Sequence, residues 1–325
     1  MRIGLQITKN KDKYKKLVSL IDCSEGRNIS FIHIKNNQSL KKNLKSLDIL
    51  VTYKITPELF RHRSDNLKWI HIGASGIEDN LFHDILKSRV IITNSKGINA
   101  KPVAEFIMSQ ILYFAKRLND CNQFKLDKQW SQWELAKKTI QLSDSTLGII
   151  GYGSIGKELA KQAKALGMQV LATRRLQKTI ENKKFVDYLV PTKKINFILK
   201  NSHFIAITCP LTPLTKNMIN KKSFQIMRKE SYLINTSRGG IVHEKDLIDA
   251  LIKNQISGAA LDVFAKEPLS KKNKLFNLDN VFLSPHISGN FQEYQSVMIK
   301  QFNEMLLKFI NNKPLKNRVC KKRLY

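Results

Sequence analysis

A glycine-rich loop in the middle of the chain is the feature that most constrains the fold. It reads Gly151-Tyr152-Gly153-Ser154-Ile155-Gly156, follows an apolar strand over residues 147–150, and opens a predicted helix over residues 157–166. In this pattern the first glycine permits a tight turn, the second lets the backbone approach a pyrophosphate, and the third lets helix and strand pack closely. Strand, loop and helix together predict a dinucleotide-binding unit, with the anion held at the helix N-terminus.

The position of this loop also predicts the domain organisation. Residues 1–95 alternate short apolar strands with helical segments, residues 100–118 read as one long helix, and a second alternating series begins at Thr146. Such alternation is typical of parallel α/β sheets. We therefore predict two Rossmann-like or flavodoxin-like doubly wound domains. A nucleotide-binding domain of residues 98–288 would be inserted into a discontinuous substrate domain of residues 1–97 and 289–325, with the active site in the cleft between them.

The net charge of +30 is the feature of composition that needs interpretation. A strongly basic protein can bind nucleic acid or an anionic membrane surface. The lysines are spread along the whole chain, however, with no aromatic-interleaved basic stripe and no helix-turn-helix or zinc-finger spacing. No apolar run approaches the roughly 18 to 20 residues of a membrane helix. We favour a solvated surface that attracts anionic substrates over a polyanion-binding face, and expect neither nucleic acid nor membrane as a partner.

The cysteines indicate the compartment. Cys23, Cys121, Cys209 and Cys320 are scattered, without CxxC or histidine-coupled spacing. Such spacing predicts neither a zinc site nor a disulfide scaffold. We expect no metal and a cytoplasmic protein.

The end of the second strand of the nucleotide-binding unit indicates which cofactor is bound. NAD-binding folds place Asp or Glu there to bind the ribose 2′-hydroxyl, whereas Arg accommodates a 2′-phosphate. Here the strand ends in Ala172-Thr173-Arg174-Arg175, with no acid. Guanidinium groups suit a phosphate because of their forked donor geometry. The pattern predicts NADP(H) as the preferred cofactor and NAD(H) as the alternative, unless the two arginines are only surface cations.

Three polar residues follow apolar runs in the last third of the chain. Arg238, Glu267 and His286 each stand where a parallel strand would end. Open α/β sheets bind ligands at these carboxyl ends. A cation, a carboxylate and an imidazole at that edge suit proton and hydride chemistry on a carboxylate-bearing substrate. Taken singly, they read equally as a surface cation, a loop acid and a strand-end histidine.

Five sequence blocks, in order, resemble the D-isomer-specific 2-hydroxyacid dehydrogenase family. They are residues 147–156, 209–215, 235–240, 261–269 and 284–287. Agreement extends from about Ile72 to Asn311 in this reading, whereas residues 1–65 match only in their strand and helix rhythm. The resemblance implies an NAD(P)H-dependent oxidoreductase that interconverts a small anionic 2-oxo acid and its D-2-hydroxy acid. Glyoxylate or hydroxypyruvate, with NADPH, is the expected pair.

The resemblance also implies roles for the three strand-end residues. Arg238 would bind the substrate carboxylate and 2-oxo group, since a guanidinium is a planar fork that keeps its charge. His286 would donate a proton to the carbonyl oxygen during reduction and remove it during oxidation. Glu267 would pair with His286, because a carboxylate partner favours the protonated imidazole.

Further roles follow from the resemblance alone. The backbone amides of Ser75 and Gly76 would hold the substrate carboxylate, and Asp262 would bind the nicotinamide carboxamide. The long helix implies a homodimer interface, and we expect Trp130 and Trp133 to pack in a core rather than reach an active site. The remaining cofactor-binding residues would be Gly151, Gly153, Ser154, Ile155, Gly156, Thr173, Arg174, Arg175, Pro210, Thr212 and Thr236.

Two other functions remain open at this point. One is a 3-phosphoglycerate dehydrogenase, although no dedicated phosphate motif is visible in the N-terminal part. The other is a nucleotide-sensing scaffold similar to transcriptional corepressors of this family, which retain similar site residues. Glu267 argues against a formate dehydrogenase, because those enzymes resemble this chain but carry Gln at that place.

Overall fold

We describe a computed structural model of the protein, over residues 1–22 and 28–321. Cys23 lies outside the described residues. The chain forms two compact units, unit 1 of Met1–Asn99 with Phe291–Tyr325, and unit 2 of Ala100–Asn290. Each unit contains its own parallel sheet, so the prediction of two parallel-sheet α/β domains is confirmed.

Unit 1 contains, in its described part, a five-stranded sheet in the order β2-β1-β3-β4-β5 with parallel pairing throughout. Every residue of β3 and β4 is buried. Their sequences are mainly apolar because both faces of a parallel sheet are covered, and Thr52 and His71 are their buried polar residues. The strands are β1 Arg2–Gln6, β2 Ser30–His33, β3 Ile49–Thr52, β4 Trp69–Ile72 and β5 Ile91–Asn94, and the helices between them are α1 Lys11–Val18, α2 Asn37–Asn43, α3 Pro57–Phe60 and α4 His83–Lys87.

Unit 2 begins with helix α5, Ala100–Ala115, whose apolar face is buried against the sheet of this unit. The predicted helix over residues 100–118 therefore ends early, because Arg117 adopts a left-handed backbone with φ of 54°. Two short helices follow, α6 Leu118–Asp127 and α7 Gln132–Ala136, and neither has a buried residue. The expectation that Trp130 and Trp133 pack in a core is wrong, since 81% and 72% of their surfaces are exposed.

The sheet of unit 2 has eight described strands in the order β13-β12-β11-β10-β6-β7-β9-β8, of which only β8 and β9 pair antiparallel. Two apolar clusters cover its two faces. The strands are β6 Thr146–Ile150, β7 Gln169–Arg174, β8 Glu181–Lys183, β9 Val186–Pro191, β10 Phe204–Ile207, β11 Tyr232–Asn235, β12 Gly258–Leu261 and β13 Val281–Leu283. The helices are α8 Ser154–Ala165, α9 Ile195–Asn201, α10 Lys221–Ile226 and α11 Glu244–Ile252.

The chain then returns to unit 1 as helix α12, Tyr294–Ile310. Its buried residues include Met298, Phe302 and Leu306, which join the cluster on the face of the first sheet that contains Trp69. Among the described helices, none is long and apolar enough to cross a membrane.

Candidate active site

Arg238, Glu267 and His286 follow three adjacent strands of unit 2. Arg238 comes after β11, Glu267 after β12, and His286 after β13, and these strands are neighbours with parallel pairing. Parallel neighbours bring their carboxyl ends to one edge of the sheet, which is where open α/β sheets bind ligands. The structure therefore places the three predicted residues on one edge.

His286 and Glu267 form a hydrogen-bonded pair. The imidazole Nδ1 lies 2.8 Å from Oε2 of Glu267, and the other carboxylate oxygen accepts a hydrogen bond of 3.0 Å from the Phe264 backbone N–H. Nε2 of His286 has no partner in the part of the chain that the structure describes. With Nδ1 held by the carboxylate, Nε2 is the ring atom that can give a proton to, or take one from, a bound molecule.

The loop that contains His286 is anchored by Asp262. This carboxylate is 1% exposed and accepts three hydrogen bonds, from Ser284 Oγ at 2.6 Å, Ile287 N at 2.8 Å and Ser288 N at 2.9 Å. The His286 backbone N–H donates to the Asp262 carbonyl at 2.9 Å. No sequence motif marks this anchoring role, and the predicted contact of Asp262 with a nicotinamide stays a prediction.

His286 itself has a left-handed backbone, with φ of 56°. Residues other than glycine rarely adopt this conformation, and it persists only when surrounding contacts impose it. The hydrogen bonds to Asp262 and the pair with Glu267 are contacts of that kind. The geometry thus directs an imidazole to one place at the expense of local backbone strain.

Arg238 lies in a tight turn at the end of β11. The side chain of Asn235 forms the turn, since its Oδ1 accepts from Ser237 N at 3.1 Å and its Nδ2 donates to the Arg238 carbonyl at 3.0 Å. Nη1 of Arg238 donates to the Ser237 carbonyl at 2.7 Å. The first two contacts hold the backbone of the turn, and the third holds the Arg238 guanidinium against it.

The turn of Arg238 packs directly on the loop that contains Glu267. A Cβ on Gly239 would lie 1.9 Å from the carbonyl carbon of Phe264 and 2.5 Å from Ala265 N. Glu244, at the start of α11, accepts from Ala265 N at 3.2 Å and from Asn273 Nδ2 at 2.9 Å. Gly239 and Glu244 therefore hold the loop in place, and sequence reasoning identified neither role.

The glycine loop has the geometry of a pyrophosphate cradle. A Cβ on Gly151, whose φ is 111°, would lie 2.7 Å from Cys209 N, and one on Gly156 would lie 2.5 Å from the Gly151 carbonyl. By contrast, a Cβ on Gly153 would meet nothing within 4 Å, so the space above it is open. Gly153 is the N-cap of α8, makes no side-chain cap, and is followed by no acid in the first turn. An anion fits at this helix N-terminus.

Three neighbouring groups are candidates for further contacts with a dinucleotide. The Thr236 hydroxyl is buried and has no hydrogen-bond partner among the residues that the structure describes, so a bound ligand could supply that partner. Thr173 Oγ1 accepts from Gly151 N at 3.1 Å, so its side chain holds the loop. Arg174 and Arg175 are exposed at the end of β7.

The other predicted cofactor residues lie in the segment after β10 and in the first turn of α8. Thr212 N donates to Thr215 Oγ1 at 2.8 Å, and Thr215 Oγ1 donates to the Pro210 carbonyl at 2.8 Å, so residues 210–215 form a tight turn after β10. Burial raises the pKa of the Cys209 thiol to about 12, which leaves it neutral and unreactive. Ser154 and Ile155 form the first turn of α8.

In unit 1, the loop after β4 presents two backbone amides. Ser75 Oγ lies 3.1 Å from the carbonyl oxygen of Ser95 and 2.9 Å from Asn99 Oδ1, so its single hydrogen is shared between these two acceptors, and Asn94 Nδ2 donates to the Ser75 carbonyl at 2.6 Å. The backbone N–H groups of Ser75 and Gly76 donate no hydrogen bond to any group among residues 1–22 and 28–321. These two successive amides are therefore candidate donors to an anion.

Two tyrosines brace this loop. The Tyr294 hydroxyl donates to the Gly73 carbonyl at 2.9 Å, and burial raises the pKa of Tyr294 to about 12. A Cβ on Gly73 would lie only 3.0 Å from the ring of Tyr53. Sequence reasoning missed the support from Tyr294, because it is more than 200 residues from Gly73 along the chain.

Comparison with known proteins places these features in a family. The family model for the D-isomer specific 2-hydroxyacid dehydrogenase, NAD binding domain, matches residues 108–288. Among curated proteins, the glyoxylate reductase of Thermococcus litoralis is 32% identical over 275 residues, which are 82% of this chain and 81% of that protein. The hydroxypyruvate reductase of Thermotoga maritima is 31% identical over 289 residues, with 86% and 90% of the two chains covered.

A solved structure shares the whole fold. It is the NADPH-dependent glyoxylate/hydroxypyruvate reductase of Sinorhizobium meliloti in complex with NADP and sulfate, with a TM-score of 0.84. The match covers 100% of this chain and 99% of that chain at 21% sequence identity. At this identity the likeness shows the fold alone.

Proposed function

Because the chain belongs to the D-isomer-specific 2-hydroxyacid dehydrogenase family, and is an oxidoreductase with an NAD-binding domain, we propose that it reduces glyoxylate or hydroxypyruvate with NADPH. The observation that carries this proposal is the Glu267–His286 pair on the sheet edge that also holds Arg238. Relatives named as a glyoxylate reductase and a hydroxypyruvate reductase are 32% and 31% identical to the chain, over 82% and 86% of its length.

In the proposed reaction, each of the three residues has one task. Arg238 binds the substrate carboxylate and polarises the 2-oxo group. Nε2 of His286 gives its proton to the carbonyl oxygen, and Glu267 stabilises the protonated ring before that transfer. A bound reduced nicotinamide supplies the hydride that reaches the carbonyl carbon, so the product is the 2-hydroxy acid. The amides of Ser75 and Gly76 are the proposed further contacts of the carboxylate.

The cofactor would be held by the glycine loop and the groups around it. The open space above Gly153 suits the pyrophosphate, and Arg174 and Arg175 suit a 2′-phosphate. The Sinorhizobium meliloti enzyme of the same fold contains NADP, which agrees with this preference. Comparison of kcat/KM for NADPH and NADH tests it, and a clear preference for NADH would exclude the 2′-phosphate role of Arg174.

The activity is tested by a spectrophotometric screen of NADPH and NADH oxidation over a panel of 2-oxo acids that includes 3-phosphohydroxypyruvate. His286→Asn is the matched control, because Asn tolerates the left-handed backbone at this position but cannot act as the general acid. We expect kcat to fall by on the order of 10²- to 10⁴-fold while NADPH binding remains. Inactivity of the wild type with every acid would instead support the corepressor-like scaffold.

We also propose that the protein is a cytoplasmic homodimer. The segment of α6 and α7 exposes Leu126, Trp130 and Trp133, and clustered apolar side chains of this size are typical of interaction surfaces. The described cysteines are free thiols, which suits a reducing compartment. Light scattering of the wild type and of the double variant Trp130→Ser/Trp133→Ser tests the assembly. A wild type of monomer mass would refute it.

A further inference from the structure

A buried histidine lies beneath the loop of Ser75 and Gly76 and has no task in the proposed reaction. His71, in β4, is 0% exposed. Its Nδ1 lies 2.8 Å from Thr93 Oγ1 and its Nε2 lies 3.0 Å from Ser95 Oγ. Trp69 Nε1 donates to the same Thr93 oxygen at 2.8 Å. A buried imidazole with two specific partners needs an explanation, since an apolar side chain would fill the space without them.

Only one assignment of donors and acceptors satisfies every hydrogen bond among Trp69, Thr93, His71 and Ser95. The Trp69 indole can only donate, so Thr93 Oγ1 accepts from it and gives its own hydrogen to Nδ1 of His71. The Ser95 hydroxyl lies 3.4 Å from the Ile72 carbonyl, which can only accept, so Ser95 Oγ receives the hydrogen of Nε2. His71 is therefore the neutral Nε2–H tautomer. Burial agrees with this, because it lowers the pKa of His71 to about 3.

Ser95 connects these hydrogen bonds of His71 to the loop of Ser75 and Gly76. The Ser95 backbone N–H is shared between the carbonyls of Ile72 and Ala74, each at 3.1 Å. The Ser95 carbonyl accepts from Ser75 Oγ at 3.1 Å. The position of Ser95 thus determines where residues 72–75 lie, and His71 holds the Ser95 side chain.

We propose that His71 is a positioning residue for the substrate carboxylate. Through Ser95 it keeps the backbone of the loop in the shape that presents the N–H groups of Ser75 and Gly76 to an anion. This inference rests on the proposed function, because it assumes that these amides bind the carboxylate of the 2-oxo acid.

The kinetic test separates substrate binding from chemistry. His71→Leu leaves Thr93 and Ser95 without their partner, and we expect KM for the 2-oxo acid to rise by about 10-fold, or ~1.4 kcal/mol, with kcat and KM for NADPH within about 2-fold of wild type. His71→Gln should restore KM, since its amide offers one acceptor and one donor, as the neutral ring does.

His33→Leu is the matched control in the same unit. It removes a half-buried histidine whose Nε2 lies 2.7 Å from the Thr8 carbonyl, without touching the loop. If His71 only stabilised the fold, both leucine variants would lower Tm and leave KM unchanged, and that result would overturn the inference. Should His71→Leu fail to fold, Ser95→Ala, which removes only the hydroxyl that His71 holds, must raise KM; an unchanged KM overturns the inference as well.

A binding measurement without turnover distinguishes this inference from the proposed function. Oxalate, a dicarboxylate that resembles a 2-oxo acid, is titrated into isotope-labelled protein while the amide signals of Ser75 and Gly76 are followed. We expect both signals to respond in the wild type and in His71→Gln, and to respond about 10-fold more weakly in Ser95→Ala and His71→Leu. Equal responses in all four proteins overturn the role of His71 even if the enzyme is active. A wild type that binds oxalate but oxidises no NADPH refutes only the proposed reaction.

Discussion

Substitution of Gly239 by alanine tests how the candidate site is held together. The added Cβ would lie 1.9 Å from the Phe264 carbonyl carbon, 2.0 Å from its oxygen and 2.5 Å from Ala265 N. All three are backbone atoms, so no side chain can rotate away. An ordinary contact to a Cβ is at least 3.4 Å long, and the shortest of these distances is 1.9 Å. Either the turn of Gly239 or the loop of Phe264 and Ala265 must therefore move away until that contact length is reached.

The expected effect is large because Glu267 is tied to the segment that must move. Its Oε1 accepts from Phe264 N at 3.0 Å while its Oε2 holds His286 at 2.8 Å. A misplacement of about 1 Å near reacting groups lowers rates by on the order of 10²-fold. We therefore expect Gly239→Ala to lower kcat by about 10²-fold and to destabilise the fold by ~1–3 kcal/mol through overpacking.

The assay is NADPH-dependent reduction of the best 2-oxo acid together with Tm and NADPH affinity. Gly240→Ala is the matched control, because its methyl group would meet only the Leu211 side chain, at 3.3 Å and 3.5 Å. It should retain wild-type kcat and Tm. If Gly239→Ala behaves like Gly240→Ala, the reasoning that the close approach positions Glu267 is wrong.

Three further predictions concern single groups. Gly153→Ala should leave Tm unchanged, since the methyl group meets nothing within 4 Å, but should weaken NADPH binding at least about 10-fold by calorimetry; unaltered affinity would place the pyrophosphate elsewhere. Asp262→Asn replaces one oxygen of a carboxylate that accepts hydrogen bonds from two backbone N–H groups and a hydroxyl. The free energy of unfolding should fall by ~1–3 kcal/mol, and kcat should fall while NADPH affinity is retained. Weaker NADPH binding at normal kcat would instead support a contact between Asp262 and the nicotinamide. Folding lowers the pKa of His71 to about 3, so below pH 6.5 the unfolded chain binds a proton at His71 that the folded chain does not bind, and the free energy of unfolding falls as the pH drops from 6.5 toward 3. In that window the wild type should lose up to ~1.4 kcal/mol of stability per pH unit relative to His71→Gln. Parallel curves of stability against pH for the two proteins would contradict a neutral His71.

Local sequence patterns are sufficient to predict the parallel-sheet architecture and the strand ends at which the candidate site residues lie. Gly151 to Gly156 lie between a strand and a helix, so their role follows from short-range geometry. Arg238 and His286 each follow an apolar run that ends at the carboxyl edge of a parallel strand. These features depend on residues next to one another in the chain, and periodicity reports such features well.

Contacts between distant segments could not be predicted in this way. Asp262 anchors a loop 22 to 26 residues further along, and Tyr294 braces Gly73 from a separate part of the chain. The burial of Trp130 was predicted wrongly for a related reason. An aromatic side chain is buried only where another element covers it, and in the described chain nothing covers α6 and α7.

The distribution of the indoles gives this protein two separate optical signals. Of its 3 tryptophans, Trp69 is fully buried in unit 1, whereas Trp130 and Trp133 lie in water. Emission from the isolated chain should therefore be dominated by red-shifted indoles that iodide quenches readily. Association of two copies through α6 and α7 would shift that emission to shorter wavelength. In a Trp130→Phe/Trp133→Phe background, Trp69 alone would report the unfolding of unit 1.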